Sequence, residues 1–413
     1  MQSLYTNVFS AEMGAALCCG GDRNRVYQEQ ATTSVIRAAD SPPPIGKLLI
    51  FVNPNSGAGK GVLTFHSKVK GQLQKNNIDY ELVITNGPNH ARGIVSTRED
   101  IMDFKGIILN GFTERPDAAE VIPRLPLAVV PSGSGNGLLA SLFASKGYSL
   151  NNPAFTNQAI MIATAPQPTA EPVNLIRVQT TSENIAAFLS IGWGLMADID
   201  IESEKYRKTL GSNRFTVSAL VRTMKLRTYK GKLSYKPYLP STSTRQDPKS
   251  FSVYGDHIFA SDDPSPLRVT SSSPRKTDPF WDLQDSGQEL SLEDPVPSDW
   301  LTIDEEFVGV YAMSLSHIAQ DGHFMPGAKM FDDKIYLSYM LKKDVKRKSQ
   351  LVKMLLGIEK GTHVDLQFFK TVQVSAFRLE PEDPNPLLVV DGEVVETTHL
   401  QASVTDLRTV IFT

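Results

Sequence analysis

Residues 106–142 read GIILNGFTERPDAAEVIPRLPLAVVPSGSGNGLLASL, and this stretch decides the fold of the first part of the chain. Leu127–Val130 is a short apolar run ending in two β-branched residues, which predicts a strand. The glycine-rich turn PSGSGN follows at 131–136, and a helical pattern begins at Leu138–Leu142. Backbone N–H groups in such a turn, followed by a helix N-terminus, are suited to holding phosphate oxygens. The stretch therefore predicts a strand, a phosphate loop and a helix.

A second glycine-rich loop lies upstream of this stretch. The continuous apolar run KLLIFVN at 47–53 is typical of a strand buried on both faces. The loop NPNSGAGKG follows at 53–61, and Val62–Lys75 has the apolar spacing of a helix. The loop has neither the Walker A nor the G-x-G-x-x-G spacing. Because strand, loop and helix alternate up to about residue 145, the sequence predicts a parallel α/β sheet with ligands at the carboxyl ends of its strands.

Length and composition exclude several classes of protein. The chain has 413 residues, 41% hydrophobic and 21% charged, as expected for a globular protein of about two domains. A net charge of −3 gives no whole-protein case for binding nucleic acid. The two cysteines, Cys18 and Cys19, are adjacent, which excludes a disulfide framework and favours a cytoplasmic protein. No apolar run has the length of a transmembrane helix.

The pattern changes after about residue 165, where strand candidates follow one another with few helices between them. This predicts an antiparallel, β-rich second domain. The predicted strands are Val173–Val178, Ala186–Ile191, Lys232–Tyr235, Phe307–Ser314, Lys334–Met340, Val372–Leu379 and Leu387–Val390, with an inserted helix at Val345–Leu356. The predicted domains are a disordered leader at 1–44, an α/β nucleotide-binding domain at 45–165 and a β-rich lipid-binding domain at 166–413, with a disordered insertion at about 238–298.

The motifs, taken together and in order, resemble those of one family. The diacylglycerol kinase superfamily has two characteristic motifs, a strand followed by NPxSG and a later P-x-G-(S/T)-G-N. NPNSG at 53–57 and PSGSGN at 131–136 resemble them. Within that superfamily, SIGWGLMADIDIESEKYR at 190–207 resembles the sphingosine kinases. Further matching motifs are RF at 214–215, LRTYKG at 226–231, EKGTH at 359–363, AFRLEP at 376–381 and VDGE at 390–393. Taken singly, several have simpler interpretations: ESEKYR as a solvated helix face, Asp391-Gly392 as a hairpin turn and His363 as a packed histidine.

The resemblance implies a two-domain lipid-kinase fold with ATP and Mg²⁺ in the cleft between the domains. Arginine side chains and backbone N–H groups suit the phosphates of a nucleotide. The nucleotide-binding residues that it implies are Asn53, Asn55, Ser56, Gly57, Thr85, Ser134, Gly135, Glu204, Arg207, Arg214 and Glu393. Asp391 is implied near the metal.

The resemblance also implies a sphingoid base as the substrate. Such a lipid carries an ammonium group and hydroxyls on a long apolar chain, and Asp200 matches the carboxylate that pairs with the amine. The other substrate-binding residues that it implies are Ser190, Leu195, Ile199, Phe215, Leu355, Ile358 and His363. A kinase for diacylglycerol or ceramide fits less well, because an amine-pairing carboxylate suits a sphingoid base.

Residues 209–231 (TLGSNRFTVSALVRTMKLRTYKG) predict a helix in which Arg222, Lys225 and Arg227 interleave with apolar residues. A basic amphipathic helix suits a peripheral membrane surface or calmodulin. The alternative is a helix packed on the sheet with its basic face in solvent.

The chain departs from the family between Leu109 and Asn110. In the family, the strand matching Gly106–Leu109 runs into an S-G-D-G loop and a helix, and the Asp of that loop is the proposed general base. Here the strand joins the end of that helix, NGFTERPD, directly, so no catalytic base is predicted. A splicing or gene-model event and a degenerate paralogue both explain the gap.

The leading interpretation is an ATP-dependent kinase that converts a sphingoid base to sphingosine 1-phosphate, with little or no activity in this form. The alternative is a catalytically dead protein that only binds lipid or nucleotide.

Overall fold

The structure is a computed structural model that describes residues 28–30, 46–55, 59–87, 90–108, 121–122, 124–133, 135–206, 209, 214–239, 251–252 and 290–413.

A four-stranded sheet organises the first part of the chain. Its strands are β1 (Gln28–Gln30), β2 (Lys47–Val52), β3 (Asp79–Ile84) and β4 (Phe104–Ile108), in the order β1-β3-β2-β4. β2 pairs in parallel with β3 and β4, whereas β1 is antiparallel at the edge. The side chains of residues 48–51 are all buried, as expected for a central parallel strand. The predicted parallel α/β sheet is confirmed.

Helices cover both faces of this sheet. Three consecutive helical segments, Gly61–Thr64, Phe65–Val69 and Lys70–Lys75, form α1, and α2 (His90–Thr97), α3 (Gly137–Lys146) and α4 (Ala154–Ala163) follow. Alternate residues of β2 point to opposite faces: Leu49 packs in the apolar cluster that holds Val95 of α2, and Ile50 in the cluster that holds Phe65 of α1. The sheet is therefore covered on both sides, so a ligand would approach it at the ends of its strands.

A large antiparallel sheet forms the second part. Its strands are β5 (Thr169–Gln179), β6 (Asn184–Ala187), β7 (Ser190–Gly194), β8 (Tyr229–Pro237), β9 (Phe251–Ser252), β10 (Leu301–Met313), β11 (Ile335–Leu341), β12 (Lys370–Pro381), β13 (Leu388–Val390), β14 (Glu393–Val395) and β15 (Leu400–Phe412). Nine of them follow one another in the order β14-β13-β7-β10-β11-β12-β15-β5-β6, while β8 pairs with both β10 and β12, and β9 pairs with β5. Since β8 contacts two strands that are not neighbours, the sheet closes on itself around an apolar core that includes Trp193, Phe307 and Phe377.

Three helices cover the outer face of this sheet: α5 (Leu195–Ser203), α6 (Arg214–Met224) and α7 (Lys348–Gly357). Along β10, Val310 and Ala312 point into the core inside the sheet, whereas Met313 points to the opposite, helix-covered face. A separate apolar cluster fills the space beneath these helices. The predicted β-rich second part is therefore confirmed, with a second apolar layer under its helices.

The C-terminal strand joins the two parts. The end of β15 reaches Leu127, which bridges in parallel to both Ile107 and Ile411. Phe412 packs in the same apolar cluster as Ile50. The last residues of the chain therefore lie in the core of the first part. The boundary predicted at residue 165 stays a prediction.

Most predicted strands of the second part are present, with bounds that differ by a few residues. The prediction of one strand at Ala186–Ile191 was wrong: β6 ends at Ala187 and β7 begins at Ser190. The predicted helix at Val345–Leu356 begins later, at Lys348. Short strands β1 and β9 lie inside the segments predicted as a disordered leader and a disordered insertion. Among the described residues, no helix has both the length and the apolar character needed to cross a bilayer.

Candidate functional site

The carboxyl ends of β2 and β3 bring together three predicted nucleotide-binding residues. The Oδ1 of Asn53 accepts the backbone N–H of Asn55 at 2.8 Å, which shapes the turn after β2. The backbone N–H of Thr85 donates to Val52 O at 2.9 Å, so Thr85 lies beside the end of β2. At Gly61, a Cβ atom would lie 2.6 Å from Asn53 O, so only glycine fits between the loop and α1. This is the edge at which parallel α/β sheets bind ligands.

The second predicted phosphate loop is held by residues 317–320. Asn136 is left-handed, with φ of 64°, and forms an isolated antiparallel bridge with Ala319. The backbone N–H of Gln320 donates to Gly135 O at 2.9 Å, and a Cβ atom on Gly137 would lie 2.6 Å from His317 O. The loop therefore needs its glycine at 137 and takes its shape from a segment far away in the sequence.

Asp391 ties the turn between β13 and β14 to the start of β7. Its carboxylate accepts backbone N–H groups from Phe188, Leu189 and Ser190 at 2.9–3.0 Å, and its own N–H donates to Ser190 O at 2.8 Å. Burial raises the pKa of Asp391, while the three N–H donors act in the opposite direction by stabilising the charged form. These bonds also explain why the strand predicted at Ala186–Ile191 is interrupted, since Asp391 takes up the N–H groups of residues 188–190.

Asp200 lies next to this turn, on α5. A Cβ atom on Gly392 would lie 3.7 Å from Asp200 Oδ2. The carboxylate of Asp200 therefore faces the turn formed by residues 391–393, called the DGE turn below. Tyr311 donates its hydroxyl to Ser190 Oγ at 3.1 Å. Burial raises the pKa of Tyr311, and the charge of Asp200 adds to the effect, so this phenol stays protonated at neutral pH. Ser190, Asp200, Tyr311 and the DGE turn therefore form one polar cluster.

Arg214, at the first residue of α6, borders the polar cluster. It forms an ion pair with Glu204, and its guanidinium stacks on Phe215 at 4.3 Å from the ring centroid. Burial lowers the pKa of Arg214, and the charge of Asp200 opposes this effect. Glu393, also predicted at the nucleotide, lies exposed at the start of β14. Glu204 takes up only part of this guanidinium, because Arg214 Nε has no hydrogen-bond partner among the described residues, so a donor is left that suits an anion.

A second polar network holds α5 in place. Tyr229 donates its hydroxyl to Asp198, and Arg222 of α6 forms an ion pair with Glu202. Burial raises the pKa of Asp198, and the hydrogen bond from Tyr229 opposes the shift. Because Asp198 and Asp200 lie two positions apart on one helix, they point to different sides of it. The network therefore fixes the helix that carries Asp200.

The apolar residues predicted for the lipid chain lie in one cluster beneath α5, α6 and α7. Its other members include Phe324, Met340, Leu351 and Phe369. His363 is fully buried beside it, with its ring centroid 5.0 Å from those of Phe324 and Phe369. The predicted residues that pack in this cluster are Leu195, Ile199, Phe215, Leu355 and Ile358.

Several predictions lie outside the described residues, namely those for Ser56, Gly57, Ser134, Arg207 and the Leu109–Asn110 junction. Sequence reasoning missed Tyr311 and Phe324. Tyr311 could have been found from the alternation of the predicted strand 307–314, which puts it on the face opposite Val310. Phe324 lies in an irregular segment and has no such signal.

The structure also differs from the prediction for residues 209–231. The basic side chain of Arg222 is buried against Glu202, as Arg214 is against Glu204, so the helix does not present these arginines to solvent. The exposed positions are apolar instead: Leu220 is 57% and Met224 66% exposed. Lys225 and Arg227, which follow the helix, are exposed. The expectation of a basic outer face is therefore wrong for Arg222, whereas binding to a membrane surface or to calmodulin stays a prediction.

Comparison with known proteins agrees with the geometry. Residues 47–169 match the diacylglycerol kinase catalytic domain family. The chain is 42% identical to sphingosine kinase 1 of Caenorhabditis elegans, over 89% of this chain and 81% of that one. It is 32% identical to human sphingosine kinase 1, over 87% of this chain and 88% of that one.

Among solved structures, a Bacillus anthracis protein provisionally described as a diacylglycerol kinase has the same fold. The TM-score is 0.53 at 15% identity, with 90% of this chain and 97% of that one covered. By the extent of its similarity to the curated relatives, the chain belongs to the sphingosine kinase family of lipid kinases.

Proposed function

We propose that this chain binds a sphingoid base, with the amine of the base against Asp200 and its hydrocarbon chain in the apolar cluster under α5, α6 and α7. The observation that carries the proposal is the position of Asp200, between the DGE turn and the Tyr311–Ser190 pair and one residue after Ile199 of the cluster. A carboxylate partly shielded from water pairs with an ammonium group more strongly than a surface carboxylate does. The matching reaction is phosphorylation of the primary hydroxyl, which yields sphingosine 1-phosphate.

ATP is proposed to bind where the two loops meet the polar cluster. Asn53, Asn55 and Thr85 lie at the carboxyl edge of the parallel sheet, and Gly135 belongs to the loop after Leu127. Ser56, Gly57, Ser134 and Arg207 complete the proposed phosphate site, with Glu204, Arg214 and Glu393 from the second part. Residues 314–320 support this arrangement, because the N–H of Ser314 donates to Leu189 O and that of Gln320 donates to Gly135 O.

Mg²⁺ is proposed as the charge-neutralising ion on the phosphates. Among the described residues there is no cluster of three His, Cys, Asp or Glu side chains that could hold a metal. Asp391 is the predicted ligand, but both of its oxygens already accept N–H groups. Mg²⁺ commonly binds through one or two carboxylates, waters and substrate phosphates. Each carboxylate oxygen has two acceptor sites, and Oδ2 of Asp391 accepts only the N–H of Phe188. The donor set therefore fits an ion that would be held mainly by ATP, with Oδ2 of Asp391 as one ligand.

We also propose that this form of the protein transfers phosphate slowly or not at all. The direct junction of Leu109 and Asn110 leaves out the S-G-D-G loop that the family uses for its general base. Loss of a general base costs about 10²–10⁴-fold in rate. Loss of the surrounding loop adds to this, because phosphoryl transfer depends mainly on positioning and charge neutralisation.

The test compares turnover and binding in the same preparations. Transfer of labelled phosphate from ATP to sphingosine is measured for the chain and for a version with an S-G-D-G-containing loop and helix inserted after Leu109. The inserted version with S-G-N-G is the control. We expect the first insertion to raise turnover at least 10²-fold and the control to raise it little. Turnover of the unmodified chain within tenfold of the restored version would contradict the proposal.

Sphingosine binding is measured on the unmodified chain, with Asp200→Asn as the variant and the exposed Asp304→Asn as the control. We expect Asp200→Asn to weaken binding about tenfold or more, because a charged pair becomes a charge beside a neutral amide. Binding without turnover would favour the second candidate function, a non-catalytic lipid-binding protein. The retained Asp200 and the missing loop both point to this candidate.

A peripheral membrane surface is proposed as the source of the lipid for a protein that is otherwise cytoplasmic. The exposed apolar residues Leu220 and Met224 lie on α6, and Leu356, 73% exposed, lies on α7. Lys348 of α7 donates to Met224 O at 2.6 Å, which joins the two helices at this surface. Both helices also cover the apolar cluster, so lipid would pass from the membrane into the cluster between them. Calmodulin remains a weaker proposal, because Arg222 is buried.

A further inference from the structure

Ser338 is a buried polar residue on the apolar face of β11. It is 2% exposed, and its Oγ has no hydrogen-bond partner among the described residues. Buried hydroxyls are nearly always paired, because leaving one unpaired costs free energy. The other residues of β11 on this face, Tyr336 and Met340, belong to the apolar cluster beneath the helices. A serine at this position therefore needs an explanation other than packing.

The surroundings of Ser338 indicate what could pair with it. It lines a small cavity whose wall also includes Met196 of α5, Phe324, Phe369 and Tyr311. Tyr339 also contributes to the wall, and the hydroxyl of Tyr311 is engaged with Ser190. The cavity has a volume of only about 10 Å³, so a hydrocarbon chain would enter this apolar space by displacing side chains of the cluster. Ser338 thus has a hydroxyl without a partner among the described residues beside a space that otherwise suits hydrocarbon.

The register of the sheet places Ser338 near the polar cluster. Ser338 lies directly opposite Tyr311 in the β10–β11 pair, and such neighbours have Cβ atoms about 4.5–5.5 Å apart. The hydroxyl of Tyr311, at the far end of its ring, donates to Ser190. Ser190 in turn lies beside the DGE turn, which Asp200 faces. A lipid with its amine at Asp200 and its chain in the apolar cluster would pass Ser338 with the carbons closest to its head group.

We propose that Ser338 is a specificity residue that hydrogen-bonds a hydroxyl group on the hydrocarbon chain of the substrate, close to the head group. This inference rests on the proposed binding of a sphingoid base at Asp200. The preferred substrate class is then a long-chain base with a hydroxyl at carbon 4, as in 4-hydroxysphinganine. Sphinganine, which lacks that hydroxyl, leaves Ser338 unpaired, and a site built to bond a hydroxyl binds the analogue that lacks it less tightly.

The test measures dissociation constants of the full-length chain for 4-hydroxysphinganine and sphinganine, which differ by one hydroxyl. We expect the 4-hydroxylated base to bind about 3- to 10-fold more tightly, the range that one hydrogen bond supplies. In Ser338→Ala the preference disappears, and sphinganine binds at least as tightly as before. The control is Ser234→Ala, another buried serine, whose Oγ is hydrogen-bonded to Thr302 Oγ1 at 3.0 Å on a distant strand pair.

The melting temperature without lipid is a second measurement. Ser338→Ala should melt at the same or a higher temperature, because it removes an unpaired buried group, whereas Ser234→Ala should melt lower. The inference is overturned by equal binding of the two lipids, by a preference that survives Ser338→Ala, or by a large drop in melting temperature in that variant. The last result would mean that an internal water already satisfies the hydroxyl. Failure of sphinganine to bind, or binding unaffected by Asp200→Asn, would instead overturn the proposed function.

Discussion

Asp391 has a wider role than its local sequence indicates. An Asp-Gly pair between two strands is most often a hairpin turn, and here Asp391 and Gly392 have φ of 50° and 87° between β13 and β14. The carboxylate also takes up three N–H groups of residues 188–190, which connect β6 to the first residue of β7. The turn that faces Asp200 is thereby fixed to the start of β7. Motif matching indicated that Asp391 is important but not that it organises neighbouring backbone.

His317 leads to a prediction of pH-dependent stability. Burial and the neighbouring His323, stacked at 4.4 Å, lower the pKa of His317 to about 4. A group with a lowered folded pKa binds its proton more readily in the unfolded chain, so its contribution destabilises the fold as the pH falls from about 6.5 towards 4. Between pH 7 and pH 5 this effect lowers the free energy of unfolding by about 2 kcal/mol.

The measurement is the free energy of urea unfolding at pH 7 and pH 5 for the chain and for His317→Gln. We expect the free energy of unfolding to fall between pH 7 and pH 5 by about 2 kcal/mol less in His317→Gln than in the unmodified chain. His66→Gln, which removes an exposed histidine of α1, is the control for the loss of an imidazole elsewhere in the chain. An identical pH dependence in His317→Gln would show that this imidazole keeps an ordinary pKa.

At the scale of elements, α6 shows how tertiary contacts reverse an amphipathic pattern. Arg214 and Arg222 would face water in an isolated helix, but each is buried because a carboxylate of residues 202–204 is in reach. The apolar side chains of Leu220 and Met224 are exposed instead. The sequence does contain both sets of residues at helical spacing. It could not reveal which set faces outward, because that depends on where α5 places its acidic side chains.

The proposed binding to a membrane surface is tested at the exposed apolar side chains of α6. Replacing Leu220 and Met224 by Glu should weaken binding to phosphatidylcholine–phosphatidylserine vesicles at least tenfold, since burying each side chain in lipid is worth about 1.5–3 kcal/mol. Vesicle co-sedimentation measures the effect.

The control is Leu301→Glu, an equally exposed leucine at the start of β10. It should bind vesicles as the unmodified chain does. Equal loss of binding in the control and in the double variant would show that general charge repulsion, rather than this surface, determines the affinity.

At the scale of the whole molecule, the C-terminal residues connect the two parts. A Cβ atom on Gly106 would lie 2.8 Å from the ring of Phe412, so the last strand packs directly on β4. Val410 and Phe412 belong to the apolar cluster of the first sheet, while residues 400–404 of the same strand pair within the second. The two parts should therefore unfold together.

Phe412→Ala tests this coupling. The substitution should cost about 3–5 kcal/mol, the range for removing a buried phenylalanine. Trp193 and Trp300 lie in the second part, so tryptophan fluorescence reports mainly on that part, whereas far-ultraviolet circular dichroism reports on both. We expect coincident thermal transitions in the unmodified chain and separate ones in the variant. A variant that still unfolds in one step, with little loss of stability, would show that other contacts couple the parts.

The strand β15 shows where sequence prediction of the fold was limited. Its pattern is interrupted at Thr405-Asp406, and the pairing with β5 shifts register between Val404 and Arg408. Such an irregularity removes the period-2 signal on which strand prediction depends. The regular strands, such as β2 and β11, were found because their apolar residues are continuous or alternate without a break.

The sequence by itself determined the alternating α/β first part, the β-rich second part, the two glycine-rich loops and the family, because these depend on local periodicity and on motifs contiguous in the chain. Only the tertiary structure decided that Asp391 binds the backbone of residues 188–190 and that Tyr311 donates its hydroxyl to Ser190. It also decided that, within the part of the chain that the structure describes, the buried hydroxyl of Ser338 has no hydrogen-bond partner. The physical reason is that burial and hydrogen-bond pairing depend on groups brought together from strands and helices distant in sequence. No local pattern records which neighbours a side chain will meet.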